Sequence, residues 1–257
     1  MRIIGVIPAR YESSRFQGKP LADICGKPMI WWVYQHASQV KYFNELYVAT
    51  DDQRIYDCVQ QFGGRAVMTR ADHKSGTDRI QEAAEHIGTD ADVIINIQGD
   101  EPFVQASQLQ TLMQLFDDPT TQIGTLGKRF ETMEAVQNPN SPKIVCDLRG
   151  FALYFSRSVI PFVRDVQSQT SNVKLQTSNS PLPFPYLKHL GLYAYHREVL
   201  REVTQLPQSP LEKAESLEQL RWLENGYRIR VGLTDVETVG IDTPEDLERA
   251  EAFLATM

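Results

Sequence analysis

The chain alternates two kinds of segment. Residues 3–7, 46–49, 66–68 and 93–97 are short apolar runs rich in β-branched residues, the pattern of strands buried on both faces. Between and after them, residues 29–40, 54–62, 77–86 and 107–116 are amphipathic and long enough for helices. Strands alternating with helices predict an α/β fold with a mainly parallel, doubly wound sheet. Right-handed crossovers then place ligands at the carboxyl ends of the strands, where the loops after Ile7, Ala49 and Ile97 converge.

From residue 125 to 195 the rhythm changes to strand-like pieces at 143–146, 152–155 and 191–195 with little helix between them, which predicts an antiparallel insertion. Within it, residues 166–185 are rich in Ser, Thr, Gln, Asn and Pro, a composition that favours a mobile loop. Helical patterns return at 211–225 and 244–254, with a strand at 228–233 between them. There is no internal repeat or heptad array, and residues 1–257 read as one domain carrying the insertion at about 125–195.

A chain of 257 residues, 42% hydrophobic, can bury a sizeable core. No run approaches the roughly 18 apolar residues of a membrane span, and the first residues enter a strand pattern without a basic signal, so the cytoplasm is expected. Cys25, Cys58 and Cys146 form no CxxC pair and read as reduced core or near-core thiols. The net charge of -7 argues against general nucleic-acid or anionic-membrane binding. Against that background, Arg10, Arg15, Lys19 and Lys27 fall within eighteen residues containing two acids. One loop can therefore hold a polyanion that the whole surface would repel, which points to a small phosphorylated ligand.

That loop is IPARYESSRFQGKPL, residues 7–21. Directly after the first strand it offers guanidinium forks, an ammonium and backbone N–H groups to a triphosphate; a solvated basic loop accounts for it equally well. It is neither GxGxxG nor GxxxxGK[ST], which removes support for ordinary dinucleotide and P-loop folds. In INIQGDEP, residues 95–102, Asp100 ends an apolar strand where an α/β nucleotide enzyme would place an Mg²⁺ ligand, although Gly99, Asp100 and Pro102 also suit a plain turn. In GIDTPEDLE, residues 240–248, Thr243 caps a helix beginning at Pro244 and Asp246 reaches back. That leaves Asp242 outside the cap as a candidate second carboxylate. In PLEKAESLEQLR, residues 210–221, Glu215 and Glu218 share a helical face with Trp222, ordinarily a solvated acidic face. RADHKSGTDR (70–79), FSR (155–157) and KHLG (188–191) bring polar groups into loops. His73 and His189 have no partner at zinc-ligand spacing.

Taken in order, residues 7–30, VATDD, RADHKSGTDR with the preceding Thr69, INIQGDEP, ALYFSR, KHLGLYAY, SPLEKAESLEQLR and GIDTPEDLE closely resemble the 3-deoxy-manno-octulosonate (Kdo) cytidylyltransferases, or CMP-Kdo synthetases, over nearly the whole chain. The resemblance implies a nucleotide-diphospho-sugar-transferase-like fold, a homodimer, CTP as donor, an acidic eight-carbon sugar as acceptor, Mg²⁺ as cofactor and a place in lipopolysaccharide biosynthesis. It implies that the insertion serves the sugar side and dimerisation. Pro8, Ala9, Arg10, Arg15 and Lys19 match the loop that holds CTP, and Arg70, Ser75 and Gly76 match a second nucleotide-contacting segment. Asp100 and Asp242 match the metal pair, with Arg10 and Lys19 beside them in the chemistry. Gln98 matches a position between nucleotide and sugar, while Arg157, His189, Glu218 and Gln219 match sugar-facing positions.

Two departures stand out. Phe162 occupies the place of a familiar Trp after the IP of FSRxxIP, and the polar loop before Lys188 is longer than usual. Both lie on the sugar side and keep an 8-amino analogue of Kdo open as the acceptor. Two other functions compete: a different CTP- or UTP-dependent sugar nucleotidyltransferase, and a nucleotide-binding regulatory module without turnover.

Overall fold

The structure, a computed structural model, describes residues 1–13, 16–164, 182–236, 240–241 and 243–254. Arg15, Asp242 and most of the polar stretch at 166–185 lie outside the described residues. The first half runs β1 (Ile3–Ala9), β2 (Asp23–Ile24), β3 (Lys27–Pro28), α1 (Met29–Ser38), β4 (Glu45–Thr50), α2 (Gln53–Gln61), β5 (Ala66–Met68), α3 (Gly76–Ile87), β6 (Val93–Asn96) and α4 (Ala106–Gln114). The second half runs β7 (Ile123–Arg129), α5 (Met133–Gln137), β8 (Lys143–Cys146), β9 (Ala152–Ser156), β10 (Leu187–His196), α6 (Arg197–Val203), α7 (Pro210–Glu215), α8 (Gln219–Glu224), β11 (Ile229–Leu233) and α9 (Glu245–Leu254).

The sheet order is β11-β7-β10-β6-β1-β4-β5, with β8 and β9 joined beside β10. Strands β5, β4, β1 and β6 are mutually parallel, β10 is antiparallel to both neighbours, and β11 is parallel to β7. The mainly parallel α/β expectation therefore holds, but the change of direction occurs inside the main sheet. Tyr193 and Tyr195 of β10 pair with Asn96 and Ile94 of β6.

The period of two along β1 and β6 divides the core between the faces of the sheet. Ile3, Ile7 and Ala9, with Val93, Ile95 and Ile97, pack with α1, α2 and α4 through Val33, Ile55 and Leu112. Ile4, Val6 and Ile94 face the other way, onto Ile80 of α3, Leu200 of α6 and Trp222 of α8. Because both faces are covered, the strands carry the continuous apolar runs seen in the sequence. No helix among the described residues is long and apolar enough to cross a membrane.

Three details differ from expectation. The helical pattern at 211–225 is two helices, broken where Ser216 takes φ 51 and ψ 48. Amphipathic spacing does not reveal such a break, because Leu217 and Leu220 still reach the core across it. The single face shared by Glu215, Glu218 and Trp222 therefore does not exist: Glu215 ends one helix and Trp222 lies in the next. Cys25 is exposed at the β2–β3 turn with φ 51, whereas Cys58 and Cys146 are half-buried; all three thiols are free. Strand β10 begins at Leu187, because its first residues pair with both β7 and β8. The last helix starts at Glu245, one residue later than expected, and of its expected capping pair the reach-back is present, with the Thr243 N–H donating to Asp246 Oδ2 at 3.0 Å.

Candidate active site

The carboxyl ends of β1 and β6 and the amino end of α3 enclose a cavity of about 230 Å³, whose lining includes Arg10, Lys19, His73, Ser75, Gln98 and Asp100. Pro8, Ala9 and Gly76 complete the walls from the same three segments. The convergence follows from topology: β1 and β6 are adjacent and parallel, so their exits are neighbours. Gly99 closes the gap between them, since a Cβ there would sit 2.5 Å from the Pro8 carbonyl oxygen. Only glycine lets the turn carrying Asp100 lie against the basic loop. Gly18, at φ +69, turns that loop back under the Tyr11 ring, and the Arg54 guanidinium stacks on the ring at 3.3 Å while pairing with Asp52.

Lys19 reaches across this junction. Its Nζ donates to Asp100 Oδ2 at 2.9 Å and to the Ile241 carbonyl, while the Ile241 N–H donates to the Asp100 carbonyl at 2.9 Å. The chain entering position 242 is thus fastened beside Asp100. The Asp100 side chain is 38% exposed and open to a ligand from the cavity. Among the described residues no cluster of three or more acidic, His or Cys side chains can hold a metal. One hard carboxylate beside a phosphate-sized polar cavity suits Mg²⁺, which takes one or two carboxylates and completes its shell with phosphate oxygens and water.

The amino end of α3 is well formed. Ser75 Oγ accepts from the Asp78 N–H at 3.1 Å, and Gly76 lies against Pro8. Free N–H groups and the helix dipole make such an end an anion site. Arg70, expected with Ser75 and Gly76 in contact with nucleotide, is placed differently: its side chain pairs with Asp72 and Glu82 away from the cavity lining.

The expected sugar-side residues form a second group beside the first. Thr77 Oγ1 donates to Glu218 Oε2 at 2.7 Å, and Arg221 Nη2 donates to Glu218 Oε1 at 2.7 Å. Burial pushes the Glu218 carboxyl up from its usual range, against the Thr77 hydroxyl and Arg221 charge that favour the anion. Gln98 Nε2 donates to the Gly191 carbonyl at 3.0 Å, which orients its amide. Gln219 is buried, and its Nε2 has no partner among the described residues; the same is true of the Tyr193 hydroxyl. Such groups are costly unless a polar ligand completes them. Arg157 donates to the carbonyls of Glu215, Ser216 and Pro139, and so braces the turn preceding Glu218. The buried Lys143 ammonium locks the same region by donating to the carbonyls of Asn138, Ser141 and Arg157.

His189 is buried between Phe155 and Tyr193, with Nε2 3.1 Å from Thr125 Oγ1. Burial brings its pKa down to about 3, so the ring is neutral at physiological pH. Its folded pKa lies below the ordinary value near 6.5. The neutral ring's contribution to stability is therefore complete above that value and is lost as pH falls towards 3. Urea melts at pH 7 and 4.5 should show the wild type losing about 2–3 kcal/mol more than His189→Gln on acidification. Equal losses in the two proteins would refute the buried neutral imidazole.

Arg79, Tyr193 and Tyr195 were not singled out in the sequence. Arg79 lines the cavity and donates to Asp51 Oδ2 at 3.0 Å; the Asp of VATDD was the available signal. Tyr193 and Tyr195 stack and meet Trp222 edge-on. Their alternation in KHLGLYAY marked them as one face of a strand.

Known proteins resemble this chain over nearly its whole length. The cytidylyltransferase family pattern matches residues 4–229. The 3-deoxy-manno-octulosonate cytidylyltransferase of Phocaeicola vulgatus is 56% identical, covering 99% of this chain and 98% of its own, and that of Geobacter sulfurreducens is 47% identical over 97% and 98%. A solved CMP:2-keto-3-deoxy-manno-octonic acid synthetase complexed with CTP superposes with a TM-score of 0.89 at 46% identity, covering 100% of this chain and 99% of the other. A putative glucose-1-phosphate thymidylyltransferase from Bacillus anthracis shares the fold alone, at 15% identity and a TM-score of 0.66 over 99% and 96%. The chain belongs to the cytidylyltransferases, and among them to the 3-deoxy-manno-octulosonate cytidylyltransferase family.

Proposed function

We propose that the protein transfers CMP from CTP to the anomeric hydroxyl of Kdo and releases pyrophosphate. The observation that carries this is the meeting of Arg10, Lys19, the amino end of α3 and the Asp100 carboxylate around one cavity, beside a second polar group built on Glu218. The sugar oxygen attacks the α-phosphorus in line; the new O–P bond forms as the bond to the β-phosphate oxygen breaks, and the hydroxyl proton leaves to solvent. Arg10, Lys19 and Arg15 neutralise the departing pyrophosphate, and the α3 amides orient it. Gln98, held by Gly191, divides nucleotide from sugar, while Glu218, Gln219 and His189 meet the hydroxyl-rich acceptor and Arg157 holds their frame. Asp100 and Asp242 are the residues to hold Mg²⁺, which when bound supplies positive charge between two anionic reactants.

A homodimer is supported by Leu148, Leu153 and Leu233, apolar side chains left exposed around the β8–β9 hairpin. A cytoplasmic setting is supported by three free thiols. The acceptor itself is chosen by a rate comparison. Pyrophosphate release with CTP and Mg²⁺ should be rapid with Kdo and at least tenfold slower with sialic acid, a difference of about 1.4 kcal/mol in the transition state. A faster rate with 8-amino Kdo would move the specificity to that sugar; CTP binding without turnover on any of the three would leave a regulatory nucleotide binder.

A further inference from the structure

Helix α3 reaches back to the loop in front of it at successive levels. Ser75 caps its first turn. One turn on, Arg79 donates to Thr69 Oγ1 at 2.6 Å and to the Arg70 carbonyl at 3.3 Å. A further turn on is Glu82, whose two carboxylate oxygens accept from the Arg70 N–H at 3.2 and 3.3 Å and whose Oε2 also accepts from His73 Nε2. His86, four residues later, donates from Nδ1 to the Met68 carbonyl, 3.0 Å away. Residues three and four apart share a helical face, so one face of α3 holds the chain from Met68 to His73.

Within this set Glu82 is the anionic anchor. Its side chain is 13% exposed and that of His73 is 6% exposed, so their contact is largely desolvated and stronger than a surface pair. His73 also lines the nucleotide cavity, while Glu82 does not. We propose that Glu82 is a positioning residue for the nucleotide. By fixing His73 and the Arg70 amide it sets the path of residues 70–75, and with it the placing of Ser75 and Gly76 against Pro8. It acts through His73 and the loop, with no contact to the reacting atoms. The inference rests on the assignment of the cavity to CTP.

Steady-state kinetics and calorimetric CTP titration on Glu82→Gln, His73→Ala and the double variant test it. Glu82→Gln should raise KM for CTP about tenfold, with kcat and KM for the sugar within about twofold of wild type. The double variant should be no more than about twofold worse than Glu82→Gln, because both changes remove one contact. Glu82→Asp, which keeps the anion, should recover part of the loss. Should Glu82→Gln fail to fold, His73→Ala reads the same contact from the loop side and must itself raise KM for CTP at least fivefold. A wild type that neither binds CTP nor releases pyrophosphate overturns the CTP assignment and this inference with it. A wild type that does both, beside a Glu82→Gln enzyme with unchanged KM for CTP or a loss confined to kcat, overturns this inference alone.

Discussion

Asp100→Asn should lower pyrophosphate release by about three orders of magnitude while leaving the fold intact. The substitution keeps the shape of the side chain and removes its charge. Asp100 sits at the exit of β6 with its side chain open to the cavity, and its Oδ2 already holds one cation, the Lys19 ammonium. A neutral amide is a far poorer partner for a hard divalent ion, and loss of one focused charge in a reacting site typically costs on the order of 10²–10³ in rate. The change is also felt by Lys19, whose side chain is only 15% exposed and would face an amide in place of an anion. The expected signature is a fall in kcat with a raised Mg²⁺ requirement and a thermal melt close to wild type. Turnover within tenfold of wild type at saturating Mg²⁺ would remove Asp100 from the metal site.

Much of this arrangement could be read from the sequence because the site is local in sequence at each of its parts. Strands β5 and β8 were placed to the residue, and β1, β4 and β6 within two residues; β1 and β6 were legible because strands buried on both faces are written as continuous apolar runs. Strand-exit logic located the basic loop after β1 and the carboxylate after β6, while the family resemblance supplied the roles expected of them. What escaped depended on long-range pairing or on single backbone angles. The antiparallel insertion expected at 125–195 includes a strand seated between β7 and β6, since hydrophobic periodicity carries no information on strand order. The break at Ser216 is a left-handed residue without glycine, and it decides that Glu218 turns towards Thr77 rather than joining an exposed acidic stripe. The neutrality of His189 likewise depends on burial against Phe155 and Tyr193, which arrive from different strands. Arg70 shows the converse: its motif suggested a nucleotide contact, but its backbone and side chain both turn to Glu82.

The roles of Arg157 and Lys143 connect these two levels. Neither spends its charge on a carboxylate side chain among the contacts described above; both donate to carbonyls at the ends of β8, β9 and α7. Orphan carbonyls of short helices and irregular loops need donors, and a long cation can satisfy several at once. The turn before Glu218 is thereby tied by backbone contacts, while Glu218 bonds to Thr77 and Arg221 and the Gln219 side chain is buried.

Lys19→Met should be nearly as damaging as loss of Asp100, for a different reason. One side-chain atom, Lys19 Nζ, joins the basic loop to the β6 exit and to the approach to α9. Methionine preserves the apolar stem and removes three donors. The pyrophosphate loses a cation, worth on the order of 1.5–3 kcal/mol for a charge-assisted bond, and the Ile241 carbonyl loses its tie to Asp100. The combined effect on kcat/KM should be about 10²–10³-fold, with proteolysis of the native protein accelerated near residues 240–241. Lys19→Arg should restore less than a tenth of the activity: the guanidinium keeps the charge but is broad and planar, and Nζ stands in a largely buried position between a carboxylate and a carbonyl. The pair of variants therefore separates charge from geometry. Recovery of wild-type rate by arginine would show that only the charge matters, whereas wild-type rate in the methionine variant would remove Lys19 from the reaction altogether.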